Sequence, residues 1–130
     1  MLCSTVASLP RRWRRYRRLV HPILPEVPTV TVEEAQRRHA AGARLIDVRE
    51  RVEHDAVRIP GSELMPMSTI QQWYADLRPD EPLVVICRSG SRSASVVNAL
   101  VEQAGFTDIV NVTGGIIAWS AAGLPLEVEP

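Results

Sequence analysis

A chain of 130 residues has room for one domain and not for a two-domain enzyme. With 45% hydrophobic and 23% charged residues it is neither wholly disordered nor fibrous, and the match of 15 arginines to 15 acids argues against an obligate nucleic-acid or anionic-membrane binder. That balance is uneven: six arginines and no acid precede residue 26, giving +6, whereas nine arginines face fifteen acids after it, giving −6.

Residues 1–25 therefore form a basic arm, read as disordered or as a short amphipathic helix in which Leu9, Trp13, Tyr16 and Val20 share one stripe among the arginines. A helix this short needs a surface to pack on, and the candidates are the domain itself, a partner protein, an anionic membrane surface or RNA. Pro22, Pro25 and Pro28 punctuate the boundary to a domain over 26–130. The arginines follow the first apolar residues instead of preceding them, so no export signal is expected. The longest apolar run in the middle of the chain, Leu83 to Cys87, is far short of the roughly 20 residues of a membrane span. Cys3 and Cys87 do not read as a disulfide framework, and the expected setting is a reducing, cytoplasmic one. No C-x-x-C pair occurs and no zinc-ligand spacing links His21, His39 and His54, so no structural metal site is expected.

Within the domain, 30–32 reads as extended and 33–41 as a helix stopped by Gly42. A strand is expected over 44–48, a short helix over 50–56, a turn over 59–62 and a short strand over 63–65. Ser68 is the expected N-cap of a helix over 68–77 that Pro79 closes. Residues 83–86, Leu-Val-Val-Ile, are apolar without alternation, as in a strand buried on both faces. A helix over 93–104, a strand over 109–112 and a helix over 116–122 complete the series. Alternating strands and helices at this spacing imply an α/β fold: a central, mostly parallel five-stranded sheet with helices on both faces. Ligands gather at the carboxyl ends of such strands, which points to 47–50 and 87–93.

The segment Cys87-Arg88-Ser89-Gly90-Ser91-Arg92-Ser93 links the most apolar strand to a helix start. Backbone amides converging there, the helix dipole and the charges of Arg88 and Arg92 all favour a thiolate at Cys87 without a histidine base. Gly90 permits a backbone conformation closed to other residues, and the serines leave the cradle open. Cysteine phosphatases place five residues between cysteine and arginine. Here only four separate Cys87 from Arg92, a tighter cradle suited to one sulfur atom more than to a phosphate.

This loop resembles the active-site loop of the rhodanese-like sulfurtransferases. Leu45 to Glu50 (LIDVRE), Ile59 to Gly61 (IPG) and Gly114 to Pro125 (GGIIAWSAAGLP) resemble that family's other motifs in order and spacing. The resemblance implies a rhodanese-like fold and transfer of sulfane sulfur through a Cys87 persulfide. The donor is a small molecule such as thiosulfate and the acceptor is cyanide or a thiol, a sulfur-relay protein included. It further implies that the loop amides of Arg88, Ser89, Gly90, Ser91, Arg92 and Ser93 hold the persulfide while Arg88 and Arg92 attract the anionic donor, that Asp47 and Arg49 form an ion pair steadying the loop, and that no cofactor is required. The alternative is a non-catalytic binding module on the same fold. Val57-Arg58 stands where the family often has Gly-His.

Overall fold

Residues 27–130 are described in a computed structural model, so the basic arm over 1–25, with its helical stripe and Cys3, lies outside the described residues. The elements are β1 (Thr29–Val30), α1 (Val32–Ala40), β2 (Arg44–Asp47), α2 (Arg51–Ala56), β3 (Val57–Arg58), β4 (Glu63–Leu64), α3 (Ile70–Trp73), β5 (Leu83–Ile86), α4 (Ser91–Ala104), β6 (Ile109–Val112), α5 (Gly115–Ala121) and β7 (Glu127–Val128). β1 stops before Val32 because the Thr31 hydroxyl accepts the Glu34 amide at 3.2 Å, and this N-cap turns Val32 into the first helical residue.

The sheet is five-stranded and wholly parallel, in the order β1-β6-β5-β2-β4. β5 lies at its centre, with Val84 opposite Leu45 on one side and Val110 on the other. Successive side chains of a strand point to opposite faces. Leu83 and Val85 thus join Val96, Val97 and Leu100 of α4 in one core, whereas Val84 and Ile86 join Val32 and Ala35 of α1 and Ile116 and Trp119 of α5 in the other. This two-sided burial is the reason for the unbroken apolar run in β5. Cys87 continues the α4 side of the pattern.

Two features depart from expectation. The helix expected over 68–77 is broken into a 3-10 turn (Met67–Thr69), the four-residue α3 and a second 3-10 turn (Tyr74–Asp76). Ser68 does not cap it, since its hydroxyl donates to Glu50 Oε1 at 2.9 Å instead. A separate antiparallel ribbon pairs Val57 with Val128 and Arg58 with Glu127. Among the described residues, no helix is long and apolar enough to cross a membrane.

Candidate active site

β5 delivers Cys87 to the carboxyl edge of the sheet, and the chain then turns through Arg88, Ser89 and Gly90 into α4. Gly90, at φ +104°, occupies the N-cap position in a backbone region that L side chains rarely adopt. The turn folds back over the sulfur: the Gly90 amide donates to Cys87 Sγ at 3.0 Å, and the Ser93 hydroxyl lies 3.3 Å from it. Burial pushes the Cys87 thiol up. The hydrogen bond from the Ser93 side chain and those from the amides of Ser93, Gly90 and Ser89 together outweigh it, so the thiol sits below its ordinary value. Hydrogen bonds lead here, and the Arg92 guanidinium adds a longer-range attraction.

The Ser89 amide points inward because the carbonyl of its own planar peptide unit, that of Arg88, is held outward. The Ile116 and Ile117 amides, in the first turn of α5 and without partners inside their own helix, donate to the Cys87 and Arg88 carbonyls at 2.9 and 3.1 Å. Such an approach requires glycine at 115. A Cβ there would press on the Cys87 carbonyl oxygen and stand 2.5 Å from the Arg88 carbonyl oxygen and 2.6 Å from its carbon. Gly115 also has φ +57°.

Arg92 is placed differently from the expectation that it draws the donor. Its Nη1 and Nη2 donate to the two carboxylate oxygens of Glu53 at 2.8 and 2.9 Å, so the fork is already filled by α2. The Arg92 guanidinium holds the Glu53 carboxyl at about 2, well below its ordinary range, and the Arg92 value rises in turn. Arg88 is exposed, and among the described residues no carboxylate pairs with it. The hydroxyls of Ser89 and Ser91 face each other at 3.5 Å on the exposed rim, whereas Ser93 is buried beneath the sulfur.

Asp47 and Arg49 pair with one another at 2.8 Å and are almost wholly buried, at 0% and 3% exposure. Asp47 also accepts the Arg49 amide, and the Arg49 guanidinium donates to the Val57 carbonyl. The pair thereby fixes the turn after β2 to β3, beside the Glu53–Arg92 contact. It makes no hydrogen bond to the cysteine loop itself.

Three residues of this arrangement escape a sequence reading. Nothing near Glu53 signals a partner in Arg92, far along the chain. Gly115 reads as part of a strand-to-helix turn, and its role under the loop is tertiary. Asn111 did leave a trace, as a single polar residue in the otherwise apolar β6; its Oδ1 accepts the Ser93 hydroxyl at 2.5 Å. An open cleft of about 420 Å³ lined by Arg51, His54, Asp55, Arg58, Leu64, Glu129 and Pro130 shares no residue with the Cys87 loop. Among the described residues, no group of three or more His, Cys, Asp or Glu side chains could hold a metal ion.

The probable adenylyltransferase/sulfurtransferase MoeZ of Mycobacterium tuberculosis is 46% identical over 78 residues, 58% of this chain but only 20% of that longer protein. The thiosulfate sulfurtransferase GlpE of Pseudomonas savastanoi is 36% identical over 98 residues, covering 75% of this chain and 92% of the relative. Among solved structures, a rhodanese-like domain protein from Staphylococcus aureus superposes with a TM-score of 0.67 at 32% identity, over 80% of this chain and 100% of that one. The rhodanese-like domain model matches residues 31–122, which contain four of the five sheet strands, all but β1, together with the cysteine loop and α5. The chain belongs to the rhodanese-like domain family.

Proposed function

We propose that this protein is a sulfurtransferase that carries sulfane sulfur on Cys87 from a donor such as thiosulfate to a thiophilic acceptor, cyanide or a thiol. The observation that carries the reading is the convergence of the Gly90 amide and the Ser93 hydroxyl on one cysteine sulfur. A thiolate so held attacks the outer sulfur of thiosulfate. The bond from that sulfur to the sulfonate breaks, its electron pair leaves with sulfite, and a Cys87 persulfide anion remains. The acceptor then attacks the outer sulfur, and the electron pair of the S–S bond returns to Cys87 as thiolate. No proton or external electron is required.

In this reading the inward amides of the loop hold the charge of the outer sulfur, as an oxyanion hole holds oxygen. Arg88 attracts the anionic donor. Ser89 and Ser91 border its path, Gly90 allows the turn, Arg92 ties the loop to Glu53, and the Asp47–Arg49 pair steadies the strand end beside it. Because Cys87 is buried, the donor presents a single sulfur atom to the loop, which favours thiosulfate over a bulky ester. The names of relatives such as the Pseudomonas savastanoi protein support the same reaction class.

The test is intact-mass spectrometry after thiosulfate treatment, with thiocyanate formation measured in parallel. A gain of one sulfur that Cys87→Ser abolishes, together with loss of turnover, is the expected result. No gain in the unsubstituted protein, or unchanged turnover in Cys87→Ser, would leave a binding module on a rhodanese-like fold.

A further inference from the structure

Asn111 stands in β6 between apolar, buried neighbours, Val110 and Val112, and is itself only 6% exposed. A carboxamide in such a place is costly unless it is hydrogen-bonded. Its partner is Ser93, whose Oγ lies 2.5 Å from Asn111 Oδ1 and 3.3 Å from Cys87 Sγ. Both acceptors therefore compete for the same donor. A serine hydroxyl has one proton and serves one of them at a time. Ser93 is wholly buried, so bulk water does not relieve the competition.

We propose that Asn111 is a positioning residue that competes with the Cys87 sulfur for the single hydroxyl proton of Ser93 and so sets how much support the sulfur receives at each stage of transfer. The competition rests on the geometry, and its place in the transfer rests on the function proposed above. In the free thiolate, negative charge at Sγ draws the hydroxyl away from Asn111. In the persulfide the charge lies on the outer sulfur, Sγ is neutral, and the hydroxyl returns to Asn111. When the acceptor takes the outer sulfur, the S–S electron pair goes to Sγ and the hydroxyl turns back toward it. The proton stays on the Ser93 oxygen throughout, and only its direction changes.

The charged groups around the sulfur are Arg88 and Arg92 on the loop side, Glu53 behind Arg92, and the Asp47–Arg49 pair at the end of β2. None of them hydrogen-bonds to Ser93 or Asn111, and β6 and α5 bring no titratable side chain. Asn111 is thus the neutral competitor in an otherwise charged surround.

The test is the pH dependence of Cys87 alkylation by iodoacetamide in the full chain, followed by mass spectrometry of the Cys87 peptide. Asn111→Leu, close in shape but unable to accept, should lower the midpoint by about one pH unit. Ser93→Ala should raise it by a similar amount, and adding Asn111→Leu to Ser93→Ala should change nothing further. Asn111→Ala carries the same expectation as Asn111→Leu without any risk of overpacking. A midpoint that rises or stays in the Asn111 variants, one that persists in Ser93→Ala, or an equal Asn111 effect with and without Ser93 would overturn the proposal. Alkylation needs no sulfur donor. The expected shifts without a persulfide mass gain would therefore refute sulfur transfer and keep the competition, and a mass gain without the shifts would do the reverse.

Discussion

Replacing Gly115 by alanine tests whether α5 shapes the cysteine loop. The added Cβ would stand 2.5 Å from the Arg88 carbonyl oxygen and 2.6 Å from its carbon, about an ångström inside ordinary contact, and the obstacle is backbone. Loop and helix must separate, which weakens the Ile116 and Ile117 hydrogen bonds at about 1 kcal/mol each. Alanine at φ +57° costs about 1 kcal/mol more. The sum is about 3 kcal/mol, a fall in melting temperature of about 15 °C for a domain of this size. Gly123→Ala is the control. Gly123 has a similar φ of +73° but nothing within 4 Å of its would-be Cβ, so only the backbone cost of about 1 kcal/mol, or about 5 °C, applies. The same preparations are then assayed for Cys87 alkylation against pH. Gly115→Ala should raise the thiolate midpoint because the inward Ser89 amide loses its support, and Gly123→Ala should not. Melting temperatures within about 2 °C of each other, with the same midpoint in both, would refute the argument that α5 holds the loop's carbonyls.

The charged side chains yield three more expectations. The Glu53 carboxyl lies at about 2 in the folded protein against an ordinary 4.5, so the pair with Arg92 contributes above pH 4.5 and is lost as pH falls toward 2. For this partly exposed pair Glu53→Gln should cost about 1 kcal/mol or less at pH 7, and thermal melts should find the gap to the unsubstituted protein closing below pH 4.5; a gap constant with pH would contradict it. Arg88→Ala should raise the thiosulfate KM by about tenfold with little change in kcat and lose its effect at high salt, whereas Arg92→Ala should act on stability first. Steady-state kinetics decide between them, and equal KM effects would restore Arg92 as a donor-binding residue. Asp47→Asn leaves the buried Arg49 charge without its counterion and should cost roughly 3–5 kcal/mol in urea denaturation, with Asp47→Asn/Arg49→Met recovering part of it. A loss below about 1 kcal/mol would mean that the pair is solvated in solution.

The sheet was legible because its central strand, β5, carries the strongest local signal, apolar residues without polar interruption, and because glycine or proline follows several of the helices. Ser68 misled because an N-cap is read from position alone, and Glu50 competes for its hydroxyl only after α2 and the 3-10 turn have met. β3 and β7 are two residues each, and Val57-Arg58 and Glu127-Val128 show too little alternation to mark a pairing across so much chain. In the site, the cysteine loop was readable as a contiguous string of residues with obvious chemistry. Its supports were not, because Glu53, Asn111 and Gly115 lie on three other segments. Arg92 is the instructive case. The sequence displays its charge but not the carboxylate that neutralises it, so an arginine expected to face the donor proves to face the protein.

The two hydrogen bonds from α5 to the loop also set an order of events during synthesis. Cys87 is translated well before Ile116 and Ile117, and until those residues exist the Cys87 and Arg88 carbonyls lack these two donors. A chain stopped before residue 114 should therefore hold its Cys87 thiol closer to the ordinary value than the 130-residue chain does. The support of the loop is thus finished only when α5 is in place. A fragment ending at Thr113 that alkylates with the pH profile of the 130-residue chain would break this link between α5 and the sulfur.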